Sequence, residues 1–270
     1  MREQERTDAQ WLALAPHLPP QRARTGRPGT DHRTAGEGML WRLRTGAPWR
    51  DLPERYGPWQ RVYTRWRRWQ EAGVWERARR AAGRGRPARR GGLEPALPRR
   101  HQHPRSSSCR GGQKGGDDRA LGRSRGGWGT TLYVRTERGG KLVTWTLTAG
   151  QRNEATQVTA LLERGAVVRP GGGRPRLRPD RVAGDTGRPV RWDLRRRGIR
   201  AVIPRLRTES RRGVRFDRSS YRERNQVERT INRLKQHRAI ATRDEKLKKL
   251  FHALRTLAVI LLWLPFDDTP

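Results

Sequence analysis

Cysteine, acidic side chains and long apolar runs are all scarce in this chain. Its single cysteine, Cys109, excludes an internal disulfide and a cysteine-based zinc site. The longest apolar run, LAVILLWLP over 257–265, falls well short of the ~20 residues that cross a bilayer. It follows Lys248, Lys249, His252 and Arg255, and it reads as the buried end of a helix. The opening MREQERTDAQ is charged and lacks the apolar core of a secretory leader, which predicts a cytoplasmic protein with no membrane partner.

Positive charge, by contrast, is abundant. Lys and Arg number 62 against 26 Asp and Glu, a formal net charge of +36, while only 32% of residues are hydrophobic. Such an excess implies a polyanionic partner, because neutralising phosphates releases condensed counterions and drives association. Coding bias in GC-rich DNA explains part of the arginine. It does not explain why seven of the eleven tryptophans lie in the first 75 residues. Nucleic acid is the partner this composition predicts, with a nucleoid-associated location.

Texture divides the chain into three. Residues 1–78 are tryptophan-rich with helical periodicity and predict a small all-α domain. Residues 79–116 are basic and poor in apolar groups; within them, 79–112 hold ten Arg and no aromatic, with Leu93 and Leu97 the sole large aliphatics. Such a stretch buries too little apolar surface to offset its ordering entropy. It predicts disorder or a linker, with no strand-like segment. Residues 117–270 are patterned again and predict a mixed α/β domain.

In the first domain, GEGMLWRLRTG reads as a short helix stopped at Gly46, and APWRDLPERYGPW as a Pro- and Gly-punctuated connection. QRVYTRWRRWQEAG then forms a second helix ending near Gly73. Val62, Trp66 and Trp69 share one of its faces; Arg61, Arg65 and Arg68 share another about 100° away. This order suits a helix-turn-helix-like unit whose second helix enters a major groove, with Arg44, Arg50, Arg61, Arg65 and Arg68 as candidate DNA contacts. A small helical bundle with a solvated arginine face fits the same pattern.

In the last domain, TTLYVRT and KLVTWTLT flank ERGG, a strand–turn–strand signal. NEATQVTALLERG is helical, DRVAGD a short strand ending on Asp185, RPVRWDLRRRG a helix and IRAVIP another strand, with a last helix over 244–264. Between them, YRERNQVERTINRLKQHR over 221–238 places two glutamates among six Lys and Arg. On a single helix, Tyr221, Arg224, Glu228 and Lys235 fall within an arc of roughly 60° beside the apolar Val227, Ile231 and Leu234. A carboxylate there can bind a divalent ion while the cations hold phosphates. It can equally form a solvated Arg224–Glu228 pair contributing only a few tenths of a kcal/mol.

The full spacing, Y-x2-R-x3-E-x6-K, resembles the signature of the DDE transposases of bacterial insertion sequences. TGAPWRDLPERYGPW, LGRSRGG, RRRGIRAVIP and ERTINRLKQHRAIATR resemble further blocks of that class, and the resemblance covers residues 8–78 and about 117–264. It implies a ribonuclease-H-like α/β catalytic domain in which three carboxylates hold two Mg²⁺ (or Mn²⁺) ions. One ion activates a water or 3′-hydroxyl, and the other stabilises the leaving oxygen of an in-line displacement at phosphorus. By motif match Glu228 is the final acidic ligand and Asp185 the second, while Tyr221, Arg224 and Lys235 position the site and contact phosphates. The implied reaction is cleavage of double-stranded DNA at terminal inverted repeats and strand transfer into target DNA, by a homodimer or higher assembly on paired ends. No nucleotide cofactor is implied.

Two departures stand out. The class carries its first Asp on a β-branched strand before LGRSRGG, and no such run exists here: residues 79–116 hold a single acid, Glu94. Asp117 and Asp118 belong to the loop before LGRSRGG. Translation in a shifted frame accounts for this, since Arg99–Arg100 encoded as CGA followed by C contains the Asp codon GAC, with a compensating shift near residue 112. The alternative is a genuine basic linker with Glu94 in place of the Asp. The second departure follows Asp185, where GDTGRPV proceeds directly to Thr186 and Gly187, consistent with three lost residues. The chain therefore reads as a degenerate copy with little or no strand transfer, and its rival as a non-catalytic DNA-binding remnant.

Smaller signals carry less. HQH at 101–103 lies in an arginine-rich stretch and reads as no metal clip. PGGGRP at 170–175 lacks the Lys-Ser/Thr of a phosphate-binding loop and reads as a surface loop. Arg27 in GRPGTDHR either meets phosphate or is solvated. Trp128, Trp145 and Trp192 read as core or surface packing residues rather than base-stacking platforms. The frame hypothesis has a direct test in the coding DNA across residues 79–112: a shifted frame is expected to encode a β-branched strand with Asp followed by Ser or Thr, and finding none overturns it.

Overall fold

The structure, a computed structural model, describes residues 8–21, 31–84, 101–104, 120, 122–124, 127–137, 140–149, 155–164, 178–184, 188–204, 216–243, 245 and 247–263. In chain order these form α1 (Asp8–Leu14), α2 (His32–Thr45), α3 (Trp59–Glu71), α4 (Val74–Arg84), β1 (His101–Pro104), β2 (Gly122–Ser124), β3 (Gly127–Thr136), β4 (Leu142–Ala149), α5 (Ala155–Arg164), β5 (Arg181–Ala183), α6 (Arg188–Arg196), β6 (Arg200–Val202), α7 (Arg218–Arg222), α8 (Asn225–Lys235), α9 (Arg238–Ala241) and α10 (Lys248–Trp263). They belong to two compact units. The helical unit draws on residues up to 84 and from 234 onward; the α/β unit draws on 101–104 and 120–233.

In the helical unit, α2 opens on Asp31, whose carboxylate accepts from the Thr34 N–H at 3.0 Å and from the Thr34 hydroxyl at 3.3 Å. That cap starts the helix at His32, four residues before the start expected at Gly36, because it satisfies an otherwise unpaired helical donor. Gly46, at φ 69°, closes it in the left-handed conformation that a β-carbon disfavours. On α3 the expected apolar face is the buried one: Val62, Trp66 and Trp69 are all out of solvent. The tryptophan enrichment is explained by a chain of aromatic contacts in which Trp66 meets Trp49 at 6.2 Å and Trp75 at 5.0 Å, and Trp69 meets Trp75 at 5.4 Å. Trp75 lies on α4, which continues to Arg84 into the stretch expected to be disordered.

The C-terminal helices complete this unit, although texture alone groups them with the α/β residues. LAVILLWLP does supply a buried helix end, with α10 out of solvent from Ala253 through Leu261. The Thr256 hydroxyl donates to Glu76 of α4 at 3.2 Å. Before α10, Glu245 accepts from the Trp49 indole N–H at 3.2 Å and lies 3.7 Å from the buried Arg42. Among the described residues no helix is long and apolar enough to cross a membrane.

The α/β unit is built on the expected hairpin. β3 and β4 pair antiparallel from Thr130–Ala149 to Thr136–Leu142, with an irregularity at Arg135/Thr136, and Gly140 turns the connection at φ 80°. β1 lines one edge of β3, from His101–Leu132 to Pro104–Gly129; β2 and β4 succeed one another along the other edge. The strand at His101–Pro104 corrects the expectation that residues 79–116 contain none. Its pairing is set by the backbone of β3, which the composition of 79–112 does not disclose, and its proline sits at the strand's end, where a missing donor is tolerated. β5 and β6 are parallel and joined through α6. Val182, Ile199 and Ile203 pack with Val158 and Leu162 of α5 and Val190 and Leu194 of α6. Arg135, buried on β3, donates to the carbonyls of Leu161 and Leu162 at 3.2 and 3.3 Å, and so ties the sheet to the end of α5.

Gly38 of α2 faces the short helix Glu54–Tyr56: a β-carbon there would lie 3.0 Å from Tyr56 Cβ, whereas one at Gly36 would meet Trp11 at an ordinary 3.6 Å. Alanine in a helix interior normally gains about 1 kcal/mol over glycine. Gly36→Ala is expected to hold or raise the thermal midpoint. Gly38→Ala is expected to lower it by overpacking, costing roughly 1–3 kcal/mol. Parallel thermal melts of the two variants check the contrast.

Candidate functional site

The strip expected to be one helix is two. α7 ends at Arg222 and α8 begins at Asn225, with Glu223 and Arg224 forming a turn between them. The Arg224 N–H donates to the Tyr221 carbonyl at 3.0 Å and the Val227 N–H to the Arg224 carbonyl at 3.0 Å, three-residue spacings that tighten the chain and interrupt the α-helix. The single arc drawn through Tyr221, Arg224, Glu228 and Lys235 is therefore broken. Three of the four nevertheless line up. The Arg224 guanidinium lies 5.0 Å from the Tyr221 ring centre, and its Nη2 lies 3.3 Å from Glu228 Oε1. Phe216 meets Tyr221 edge-on at 5.2 Å. Both partners of the ion pair are half-buried, with side-chain exposures of 24% and 29%. The pair is thus less solvated than the surface i,i+4 pair considered from spacing alone. Lys235 lies beyond the unit boundary at 233/234.

Two local devices hold this strip against the sheet. Asp217 caps α7, accepting from the Ser220 N–H at 3.0 Å, the Ser220 hydroxyl at 2.8 Å and the Ser219 hydroxyl at 2.9 Å. Its carboxylate also sits 3.7 Å from Arg181 at the start of β5 and 3.6 Å from Arg200 at the start of β6. These hydrogen bonds from Ser220 and Ser219, with Arg200 adding its charge, hold the Asp217 carboxyl at about 2. Farther along, Thr230 of α8 hydrogen-bonds the carbonyl of Gly140 in the β3–β4 turn. A β-carbon at Gly140 would approach Thr230 Oγ1 and Gln226 Oε1 to 3.3 Å. The motif reading missed Asp217, although its signal was in the sequence: Asp followed by Arg-Ser-Ser is an N-cap pattern.

The candidate DNA contacts divide by environment. Arg61 and Arg68 are exposed on one face of α3, and Arg50 is exposed with its guanidinium 6.0 Å from the Trp59 ring. Arg65, on the same face, is turned inward: it donates to the Asp31 carbonyl at 3.3 Å and to His32 Nδ1 at 3.0 Å. Arg44 is half-buried, with Glu37 3.9 Å away. Asp185, Glu94, Asp117 and Asp118 lie outside the described residues, as do Arg27, PGGGRP and Cys109. β5 ends at Ala183, two residues before Asp185.

Two family models match this chain. "Putative transposase of IS4/5 family" covers residues 7–78, and "Transposase DDE domain" covers residues 183–265. The chain belongs to the DDE transposases of insertion sequences. No curated protein and no solved structure matches it. DDE transposases work through divalent metals, which demand clustered oxygen donors. Among the described residues of this transposase, no three Asp, Glu, His or Cys side chains come together. The donor set there, one Glu228 carboxylate facing the Arg224 guanidinium, does not fit a pair of divalent ions.

Three histidines of the transposase's helical unit are held neutral. Burial, reinforced by the Arg44 charge, pushes His237 down to about 4. Burial also lowers His252, partly countered by Glu76. Burial and Arg65 lower His32, whose Nδ1 accepts from Arg65 while Nε2 meets the Pro19 carbonyl at 3.1 Å; protonation removes that acceptor. An unfolded histidine titrates near 6.5. The stability that neutral His237 contributes is therefore complete above about 6.5 and is lost as pH falls toward about 4, and His32 and His252 change in the same direction. His237→Gln is expected to flatten the decline in denaturant midpoint between those values, which chemical denaturation at stepped pH measures.

Proposed function

We propose that this transposase keeps its hold on duplex DNA and has lost most or all of its strand transfer. The carrying observation is the incomplete carboxylate set: Glu228 faces a guanidinium, and the sequence has no Asp-bearing first strand. Three exposed arginines, Arg50, Arg61 and Arg68, present the helical unit's positive surface to phosphates. The partners of this reading are the element's terminal inverted repeats and its target DNA, engaged by a homodimer on paired ends in the nucleoid. A ribonuclease-H-like α/β unit is supported by an antiparallel β4–β3–β1 arrangement followed by the parallel β5–β6 pair. Within it Glu228 and Asp185 are what remains of the three carboxylates that hold Mg²⁺ or Mn²⁺ in the class, too few to fix a pair of ions. Tyr221 and Arg224 act as positioning residues, and Lys235 as a phosphate contact.

One observation favours a second reading, a working enzyme in which Glu94 replaces the missing Asp. β1 runs beside β3, so a strand of the unaltered reading frame occupies the sheet edge a few residues after Glu94. A Mg²⁺-dependent cleavage assay on supercoiled plasmid carrying the element's ends separates the two readings. No cleavage is expected from the native chain. Cleavage that disappears in both Glu228→Gln and Glu94→Gln overturns the inactive reading.

Duplex binding has its own test. Arg61→Ala and Arg68→Ala are each expected to reduce the slope of log affinity against log salt by about one, uniformly across sequences. Unchanged slopes would remove α3 from the DNA interface.

A further inference from the structure

α6 carries a tryptophan on the wrong side for packing. Val190 and Leu194 turn into the core with Val158, Leu162 and Ile199. Trp192 lies two residues from each, on the opposite side of the helix, and 61% of its surface is in solvent. It is one of four large hydrophobic residues exposed among the described residues, so of the two places expected for it, core and surface, it takes the surface. Its ring is not bare. The Arg196 guanidinium lies 4.8 Å from the ring centre, and Arg195, one position earlier, is exposed beside it. Among the described residues neither arginine enters an ion pair, while their neighbour Arg197 is held by Asp193 at 3.1 Å and Glu163 at 3.5 Å.

We propose that Trp192, with Arg195 and Arg196, is a binding platform for unpaired DNA, stacking an extruded or single-stranded base on the indole while the guanidiniums hold the flanking phosphates. This rests on the reading of the chain as a DNA-binding transposase and names a second form of that substrate. Charge selects the class of partner. Tryptophan and arginine together also anchor protein interfaces, so the excess of positive charge makes the choice. Here the residues three and four positions along are both arginine, on a chain of net charge +36. The ring selects the form of the DNA. Inside a duplex both faces of every base are covered by its neighbours, so an indole stacks only on a base out of the helix. A guanidinium already resting against the ring leaves a planar, electron-rich surface beside fixed positive charge. That combination suits a base and its phosphate together, and it tolerates any sequence because every base has a π-face.

The full-length chain is titrated against a labelled thymidine oligonucleotide and against a labelled duplex of mixed sequence. Elevated salt suppresses the phosphate contribution and leaves stacking in place. Trp192→Ala is expected to weaken the single-strand complex about tenfold and to leave the duplex complex within twofold, with Trp192→Phe recovering most of the loss. Circular dichroism should be unchanged, since the side chain is outside the core. Equal losses on both probes, or no loss on the single strand, overturn the platform. A change of oligomeric state in Trp192→Ala without a single-strand effect assigns the ring to a protein contact and also overturns it. Absence of duplex binding by the native chain is a separate result that defeats the DNA-binding reading itself.

Discussion

Arginine has to be folded here, not merely solvated. With 62 cations to 26 acids and a hydrophobic fraction of 32%, the chain cannot build two cores without burying guanidiniums, and ion pairing alone cannot neutralise them. The structure uses flat aromatic faces and carbonyl oxygens instead. Arg243 and Arg255 both lie over Phe251, at 5.3 and 4.6 Å. Burial and the neighbouring Arg243 push Arg255 down to about 9, and burial alone pushes Arg135 to about 10, yet both remain charged at neutral pH. Arg42 shares Glu245 with the Trp49 indole, 5.9 Å above whose ring it lies. Guanidinium suits these places because it is planar and more weakly hydrated than an ammonium, so its desolvation costs less. Lysine could not replace Arg42, Arg243 or Arg255 without losing the planar stacking on Trp49 and Phe251.

The candidate site obeys the same constraint in miniature. Tyr221 supports Arg224, and Arg224 faces Glu228, so a half-buried carboxylate and its cation are held by an aromatic ring. Their placement depends on Asp217, which fastens α7 to the first residues of both parallel strands, and on Gly140, which lets α8 approach the hairpin turn. A catalytic reading of Glu228 requires that carboxylate to turn toward further acids. A binding reading requires only the cations around it. The described residues supply the second requirement more fully than the first.

Much of this was legible beforehand, and the reasons differ by element. The β3–β4 hairpin, α5, α6 and the β5 and β6 strands could be read because alternation and helical spacing report one-sided burial directly. The Val62–Trp66–Trp69 face was legible for the same reason. The start of α2 was misplaced because Asp31 acts through a hydrogen bond rather than through hydrophobic period. β1 escaped because strand formation at His101–Pro104 follows from the edge of β3, not from its own side chains. The break at Glu223–Arg224 escaped because it substitutes one backbone hydrogen-bond spacing for another, and no residue there demands it as a proline would.

The family was readable from the ordered spacing of Tyr221, Arg224, Glu228 and Lys235, and the net charge of +36 predicted a polyanionic partner, because spacing and composition are carried by the residues themselves. Packing in three dimensions is what turns Arg65 inward to His32 while Arg61 and Arg68 face solvent. It also decided that the C-terminal helix completes the N-terminal core and that Trp192 stands exposed. Each of these depends on which neighbour removes water from a side chain, and that neighbour lies far away in the chain or across a helix, where spacing carries no information.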